Sequence, residues 1–143
     1  MPRVRAPVSK GSSMAKKRVL VVDDELDFVR MIKARLEANN YSVFTAGDGK
    51  EVLKRIRAEK PEVILLDILI PKPDGLEVLK AIRKLDKNIP VFILTAYADQ
   101  KKFNRAKKLG ASGFIVKTSD LQKEINNITS ALRISANYRG TTA

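Results

Sequence analysis

From Arg18 onward, short apolar runs alternate with segments whose apolar residues recur at helical spacing, five times over. The runs are Val19 to Val22, Tyr41 to Thr45, Val63 to Leu66, Val91 to Leu94 and Phe114 to Val116, and they predict five strands. Most are short and apolar on both faces, as strands of a parallel sheet covered by helices on either side should be. The segments between them carry helix-start punctuation: Asp48 with Glu51, Asp74 with Glu77 and Ser119 with Gln122 have capping-box spacing. The last segment places Leu121, Ile125, Ile128 and Leu132 on one stripe, enough to cover one face of a sheet. A five-fold βα alternation predicts an α/β fold and excludes an all-helical bundle or an all-β sandwich.

Composition narrows what such a fold can do. The 143 residues suit one domain, so any chemistry rests on one site and the chain's own surface. There is no cysteine and no histidine. That excludes disulfides, thiolate or imidazole metal sites, cysteine nucleophiles and a Ser-His-Asp triad, and leaves carboxylates, lysine and hydroxyls. No apolar run approaches the length of a bilayer span, and the N-terminus has no secretory apolar stretch, so a cytoplasmic location is expected.

The net charge of +12 is uneven, with Arg3, Arg5, Lys10, Lys16, Lys17 and Arg18 all preceding the first run. Residues 1–17 read as a basic disordered arm or, given Gly11-Ser12-Ser13 before Met14, as an expression artefact ahead of the natural start. The folded unit is expected over 18–134 and a polar tail over 135–143.

Ligands of open parallel sheets bind outside the carboxyl ends of the strands, where the strand order reverses. The polar residues at those ends are Asp23, Asp24 and Glu25 after the first run, Asp67 after the third, Thr95 after the fourth and Lys117 after the fifth. Gathered carboxylates repel by about 4 kcal/mol per pair at 4 Å and an effective dielectric near 20. A hard divalent cation removes that repulsion, and Mg2+ suits one or two carboxylates with waters and phosphate oxygens completing its shell. A carboxylate beside it could attack phosphorus to give an acyl phosphate, with Lys117 as a point charge and the Thr95 hydroxyl as a donor to the phosphoryl oxygens. Taken singly these residues have plainer readings: Asp-Asp-Glu as a helix cap, Thr95 as a strand end, Lys117 as a solvated charge. Their common register at the strand ends favours the chemical reading.

The same residues carry a family resemblance over Arg18 to about Arg133. Val-Leu-Val-Val-Asp23-Asp24-Glu25, Asp67-Ile-Leu-Ile-Pro71-Lys-Pro-Asp74-Gly75, Leu94-Thr95-Ala96 and Gly110-Ala-Ser-Gly-Phe114-Ile-Val-Lys117 resemble the receiver domain of two-component response regulators, of the stand-alone chemotaxis-regulator kind. The resemblance implies a five-stranded parallel sheet of order 2-1-3-4-5 with helices on both faces, the flavodoxin-like doubly wound arrangement. It also implies Asp67 as phosphoacceptor and Mg2+ ligand, Asp24 as direct ligand, Asp23 acting through water, and the Leu69 carbonyl completing the metal site. Thr95 and Phe114 would form the switch pair. The donor would be a histidine kinase or phosphotransfer protein; since this chain has no histidine, that donor is another protein or another domain.

Two departures stand out. Thr118 replaces the proline that usually follows the lysine, and a cis peptide before a non-proline costs about 3 to 4 kcal/mol, so a trans bond is expected there. Lys101, Lys102, Arg105, Lys107 and Lys108 crowd the fourth helical segment, which lies on the family's output face, so an acidic output partner is suggested beside the plainer reading of a solvated face. The resemblance implies that the residues two places after the phosphoacceptor and the switch threonine, here Leu69 and Tyr97, flank the attacking water's approach, and an apolar side chain and a bulky ring there predict a long-lived phosphorylated form.

Three other readings compete. The chain could be the receiver part of a longer regulator whose effector domain lies beyond Ala143. A haloacid-dehalogenase-type phosphohydrolase would want an acid where Leu69 stands. A nucleic-acid module would rest on the basic arm alone, without a recognition helix, stacking platform or zinc site, and would bind nonspecifically at most.

Overall fold

The structure, a computed structural model, describes residues 16–70, 74–95, 100–117, 120, 123 and 125–133. Five strands alternate with helices: β1 (Lys17–Val22), α1 (Leu26–Ala38), β2 (Tyr41–Ala46), α2 (Gly49–Glu59), β3 (Val63–Asp67), α3 (Gly75–Leu85), β4 (Val91–Thr95), α4 (Gln100–Lys108) and β5 (Gly113–Val116). Residues 125–133 are helical and close the described chain. The sheet is wholly parallel in the order β2-β1-β3-β4-β5, as expected from the sequence.

Alternation along each strand divides the core in two. Leu20, Val22, Ile64, Leu66, Val91 and Ile93 face one side, with Val52 of α2, Leu79 and Ile82 of α3 and Ala106 of α4. Val19, Val21, Val63, Leu65, Phe92 and Leu94 face the other, with Ile32 and Leu36 of α1 and Ile125, Ile128 and Leu132 of the terminal helical segment. Burying an aliphatic side chain stabilises by about 1.5 to 3 kcal/mol, so strands apolar on both faces can be held only by helices on both sides. β3 and β4 are buried at every residue.

Three strands reach one residue beyond their apolar runs, and this decides where the chemistry sits. Asp67 is the last residue of β3, paired with Leu94, and Thr95 is the last of β4, paired with Val116. Ala46 ends β2 in the same way. At the other end of the sheet, β1 begins at Lys17, one residue inside the expected arm, and includes Arg18. The Arg18 Nε donates to the Lys60 carbonyl at 2.9 Å, and its guanidinium lies 3.9 Å from Glu62.

Local chemistry sets the helix ends. Asp74 accepts from the Glu77 N–H at 3.0 Å while Glu77 Oε1 accepts from the Asp74 N–H at 3.3 Å, the full reciprocal cap. At α2, Asp48 accepts from the Lys50 and Glu51 N–H groups, but Glu51 reaches back to the Gly47 N–H, one residue beyond the expected partner. Ser119, Gln122 and Leu121 lie outside the described residues.

Gly75 is the first residue of α3, and close approach rather than a turn requires it. A Cβ there would stand 2.2 Å from the Ile68 Cα and 2.8 Å from the Asp67 carbonyl oxygen. Gly110, at φ +96°, ends α4: its N–H bonds the Lys107 carbonyl and the next N–H bonds that of Ala106, the paired bonds of a Schellman cap. The Gly110 carbonyl in turn accepts from Arg83 Nε and Nη2 at 3.0 and 2.7 Å. Arg83 Nη1 also reaches the Ile89 carbonyl at 2.7 Å, so one guanidinium ties the end of α3 to the strands that follow.

Candidate functional site

β1 runs to β2 on one side and its other neighbour is β3, so the reversal of strand order falls between β1 and β3. Val22 pairs with Leu66, which sets Asp23 and Asp67 side by side at the carboxyl edge. Thr95 ends the next strand, and the Lys117 N–H bonds the Thr95 carbonyl at 2.8 Å, bringing the lysine to the same edge. Asp23, Asp67 and Thr95 are all buried, at 1%, 5% and 2% exposure. Buried polar groups on an otherwise apolar sheet need partners, and the partners define the site.

Lys117 Nζ lies at their centre: 2.6 Å from Asp23 Oδ2, 2.7 Å from Glu25 Oε1 and 3.1 Å from Asp67 Oδ2. The ammonium also stands 4.4 Å from the centroid of the Phe28 ring, a cation–π contact from the first turn of α1. The second oxygens of the two aspartates are held by backbone. Asp23 Oδ1 accepts from the Glu25 N–H at 2.9 Å, and Asp67 Oδ1 accepts from the Leu69 N–H at 2.8 Å.

The three carboxylates outnumber the one ammonium. Oxygens of Asp23, Glu25 and Asp67 lie within 4.8 Å of one another, and three negative charges with one positive leave a formal −2. Burial raises the Asp23 carboxyl above its ordinary value, opposed by Lys117 and by the Glu25 N–H. Burial by itself would lower Lys117, but the close contacts with Asp23 and Glu25 outweigh it and hold the ammonium above its ordinary value. Both directions follow from a crowded, water-poor site with more negative charge than one lysine neutralises. Asp23 Oδ2 is buried against the Lys117 ammonium at 2.6 Å. That contact is an ion pair between two largely buried groups. An all-oxygen donor set with excess negative charge fits a small hard divalent cation.

The structure thus brings Asp23, Asp67, Thr95 and Lys117 to one edge, and Leu69 lies beside them, 43% exposed. Asp24 is exposed and falls outside the tight carboxylate group, where Glu25 stands instead. Phe114 is half-buried, its ring centroid 4.9 Å from that of Phe103 on α4. Phe28, Phe103 and the placement of Glu25 were not singled out by sequence reasoning. Glu25 did stand in the Asp-Asp-Glu run; Phe28 had only its nearness to that run, and Phe103 only its place in a basic helix. Pro71, Tyr97 and Thr118, and with Thr118 the peptide after Lys117, lie outside the described residues. No helix among the described residues is long and apolar enough to cross a membrane.

Comparison with known proteins agrees with this geometry. Residues 19–129 match the family described as the response regulator receiver domain. The chain is 41% identical over 101 residues to the alkaline phosphatase synthesis transcriptional regulatory protein PhoP of Bacillus subtilis, a match covering 71% of this chain and 42% of that protein. It is 31% identical to sporulation initiation phosphotransferase F of the same organism, over 87% of this chain and the whole of the relative. Among solved structures, the chemotaxis response regulator CheY4 of Vibrio cholerae superposes with a TM-score of 0.73 at 30% identity, covering 81% of this chain and 98% of that one.

Proposed function

Because the chain belongs to the response regulator receiver domain family, a signalling family of two-component systems, we propose that it accepts a phosphoryl group on Asp67 from a histidine kinase or phosphotransfer protein. One observation carries the assignment: Asp67 is a buried carboxylate at a strand end, 3.1 Å from an ammonium and beside a second buried acid. An Asp67 oxygen attacks the phosphorus of a phosphohistidine, the P–N bond breaks as the P–O bond forms, and the departing imidazole of the donor takes up a proton. Lys117 supplies fixed positive charge to the phosphoryl oxygens, and the Thr95 hydroxyl donates to one of them. The Leu69 N–H holds Asp67 Oδ1 and so fixes the rotation of the carboxylate.

Receiver domains bind Mg2+ through acidic residues, and here Asp23, Asp24 and Asp67 with the Leu69 carbonyl are the proposed set. Bound there, Mg2+ would neutralise the charge that gathers on the transferring group. The placement of Glu25 makes it a second candidate for the third carboxylate. Comparing Mg2+ affinity in Asp24→Asn and Glu25→Gln by titration calorimetry distinguishes the two.

Phosphorylation draws Thr95 toward the phosphoryl group and lets Phe114 turn inward, off its contact with Phe103, remodelling the face of α4 and β5 for an output protein. A ligand shifts a two-state face only through differential affinity, so the two forms must bind that protein differently. An acidic partner suits the cations of α4. A second reading keeps the chemistry and changes the output: the chain spans 42% of the length of its longer relative, which favours a receiver joined to an effector domain. In either case the site works in the cytoplasm, where its phosphodonor would be found.

The test is incubation with acetyl phosphate and Mg2+ followed by intact-mass measurement. Wild type gains one phosphoryl group, Asp67→Asn gains none, and chelation abolishes the reaction. An Asp67→Asn chain phosphorylated at the wild-type rate overturns the assignment.

A further inference from the structure

α3 and α4 leave between them a cleft of about 480 Å3 on the side of α4 away from the switch residues. Phe103 and Arg105 are two residues apart, about 200° around a helix, so the ring that meets Phe114 and the guanidinium that lines the cleft point nearly opposite ways. Leu76, Ala81 and Leu109 line the cleft from its less exposed side, and Lys80, Lys84 and Arg105 are its exposed cations. None of those three cations is in an ion pair among the described residues. The acids that reach the cleft, Asp74 and Glu77, are engaged in each other's backbone cap.

Helix dipoles explain only part of this charge. A cation in the last turn of a helix is favourable, which accounts for Lys84 on α3 and Arg105 on α4. Lys80 lies a full turn earlier, where the opposite charge of Glu77 at i−3 and the like charge of Lys84 at i+4 offset each other, so no local helix effect selects it. α4 carries five cations and no acid in its nine residues, so nothing within the helix offsets them.

We infer that this cleft binds an acidic amphipathic segment of a partner protein, its carboxylates meeting Lys80, Lys84 and Arg105 and an apolar side chain seated against Leu76, Ala81 and Leu109. Apolar lining beneath a cationic rim favours such a segment over a nucleic acid, which would bring only phosphates to the rim and find no aromatic ring among the described cleft residues to stack on. The inference deepens the acidic-partner reading of α4 by giving it a second surface, distinct from the α4–β5 switch face. It is independent of the Asp67 chemistry, because binding is read on the unphosphorylated full chain and phosphorylation is measured separately on the same variants.

The probe is a synthetic amphipathic peptide with Glu pairs one helical turn apart and Leu and Phe between them. The expected result is saturable binding, with amide shifts centred on α3 and α4 at the cleft. Affinity should fall at least about tenfold in Lys84→Glu/Arg105→Glu and be nearly unchanged in Lys107→Glu, which reverses a cation outside the cleft. The neutral pair Lys84→Gln/Arg105→Gln should lie between them. No binding, equal loss in Lys107→Glu, shifts confined to the Phe114 face, or tighter binding of a short DNA duplex with the same residue dependence would each overturn the inference.

Discussion

Lys117 and Lys107 are the same side chain ten residues apart, yet they stand in opposite settings. Lys117 has 10% of its side chain exposed and touches three carboxylates and an aromatic ring. Lys107 is exposed on α4, and among the described residues it has no ion-pair partner. In water, two unit charges at 4 Å interact by about 1 kcal/mol; at the effective dielectric of a protein site the same pair is worth about four times that. Charge therefore acts chemically where the sheet edge excludes water and converges groups from β1, β3 and β5. On α4 it acts through summed field and through what can dock against it.

The largest effect expected from breaking this contrast is in Lys117→Met. Removing a fixed positive charge aimed at the transferring group should slow phosphorylation by acetyl phosphate about 10²- to 10³-fold, read as the initial rate of mass gain. A change smaller than about threefold would place the lysine with the solvated charges of α4.

Backbone support should matter next. Gly75→Ala forces a Cβ to within 2.2 Å of the Ile68 Cα directly behind Asp67, and overpacking of this kind destabilises by about 1 to 3 kcal/mol. Urea unfolding measures it, and an unchanged midpoint would mean that α3 can shift freely relative to the site.

Leu69 probes the solvent side of the same edge. Its exposed apolar side chain offers no hydrogen bond to orient a water, and Tyr97 is proposed to cover the approach from the other side. The double substitution Leu69→Asn/Tyr97→Glu should speed loss of the phosphoryl group about tenfold, equivalent to about 1.4 kcal/mol of barrier. Half-life by mass measurement decides it; a double variant no faster than wild type removes both residues from the hydrolytic path. The smallest effect should come from Lys107→Gln, where both stability and phosphorylation rate stay within about 0.5 kcal/mol of wild type.

Much of the site is legible in sequence because it is one-dimensional. An apolar run ending in Asp67 or Thr95 places that residue at a strand end, and five such runs in one register place all of them on one edge. The exact strand ends were less legible: a polar residue that completes a β-ladder resembles one that follows it, since the difference lies in a pairing to a distant strand.

Periodicity and the absence of cysteine and histidine thus determine by themselves an α/β class with a parallel sheet covered on both faces, the edge that carries chemistry and the restriction to carboxylate, lysine and hydroxyl groups. Which of the two exposed acids after Asp23 reaches Lys117 was decided only in three dimensions. Glu25 is brought to the site by a lysine 92 positions away, and Asp24 lies outside the carboxylate group although both follow the same strand. The pairing of Phe28 with Lys117 and of Phe103 with Phe114, and the opening of a cationic cleft between α3 and α4, have the same origin. They depend on packing between segments distant in sequence, where contact energies rather than local propensities choose the partner.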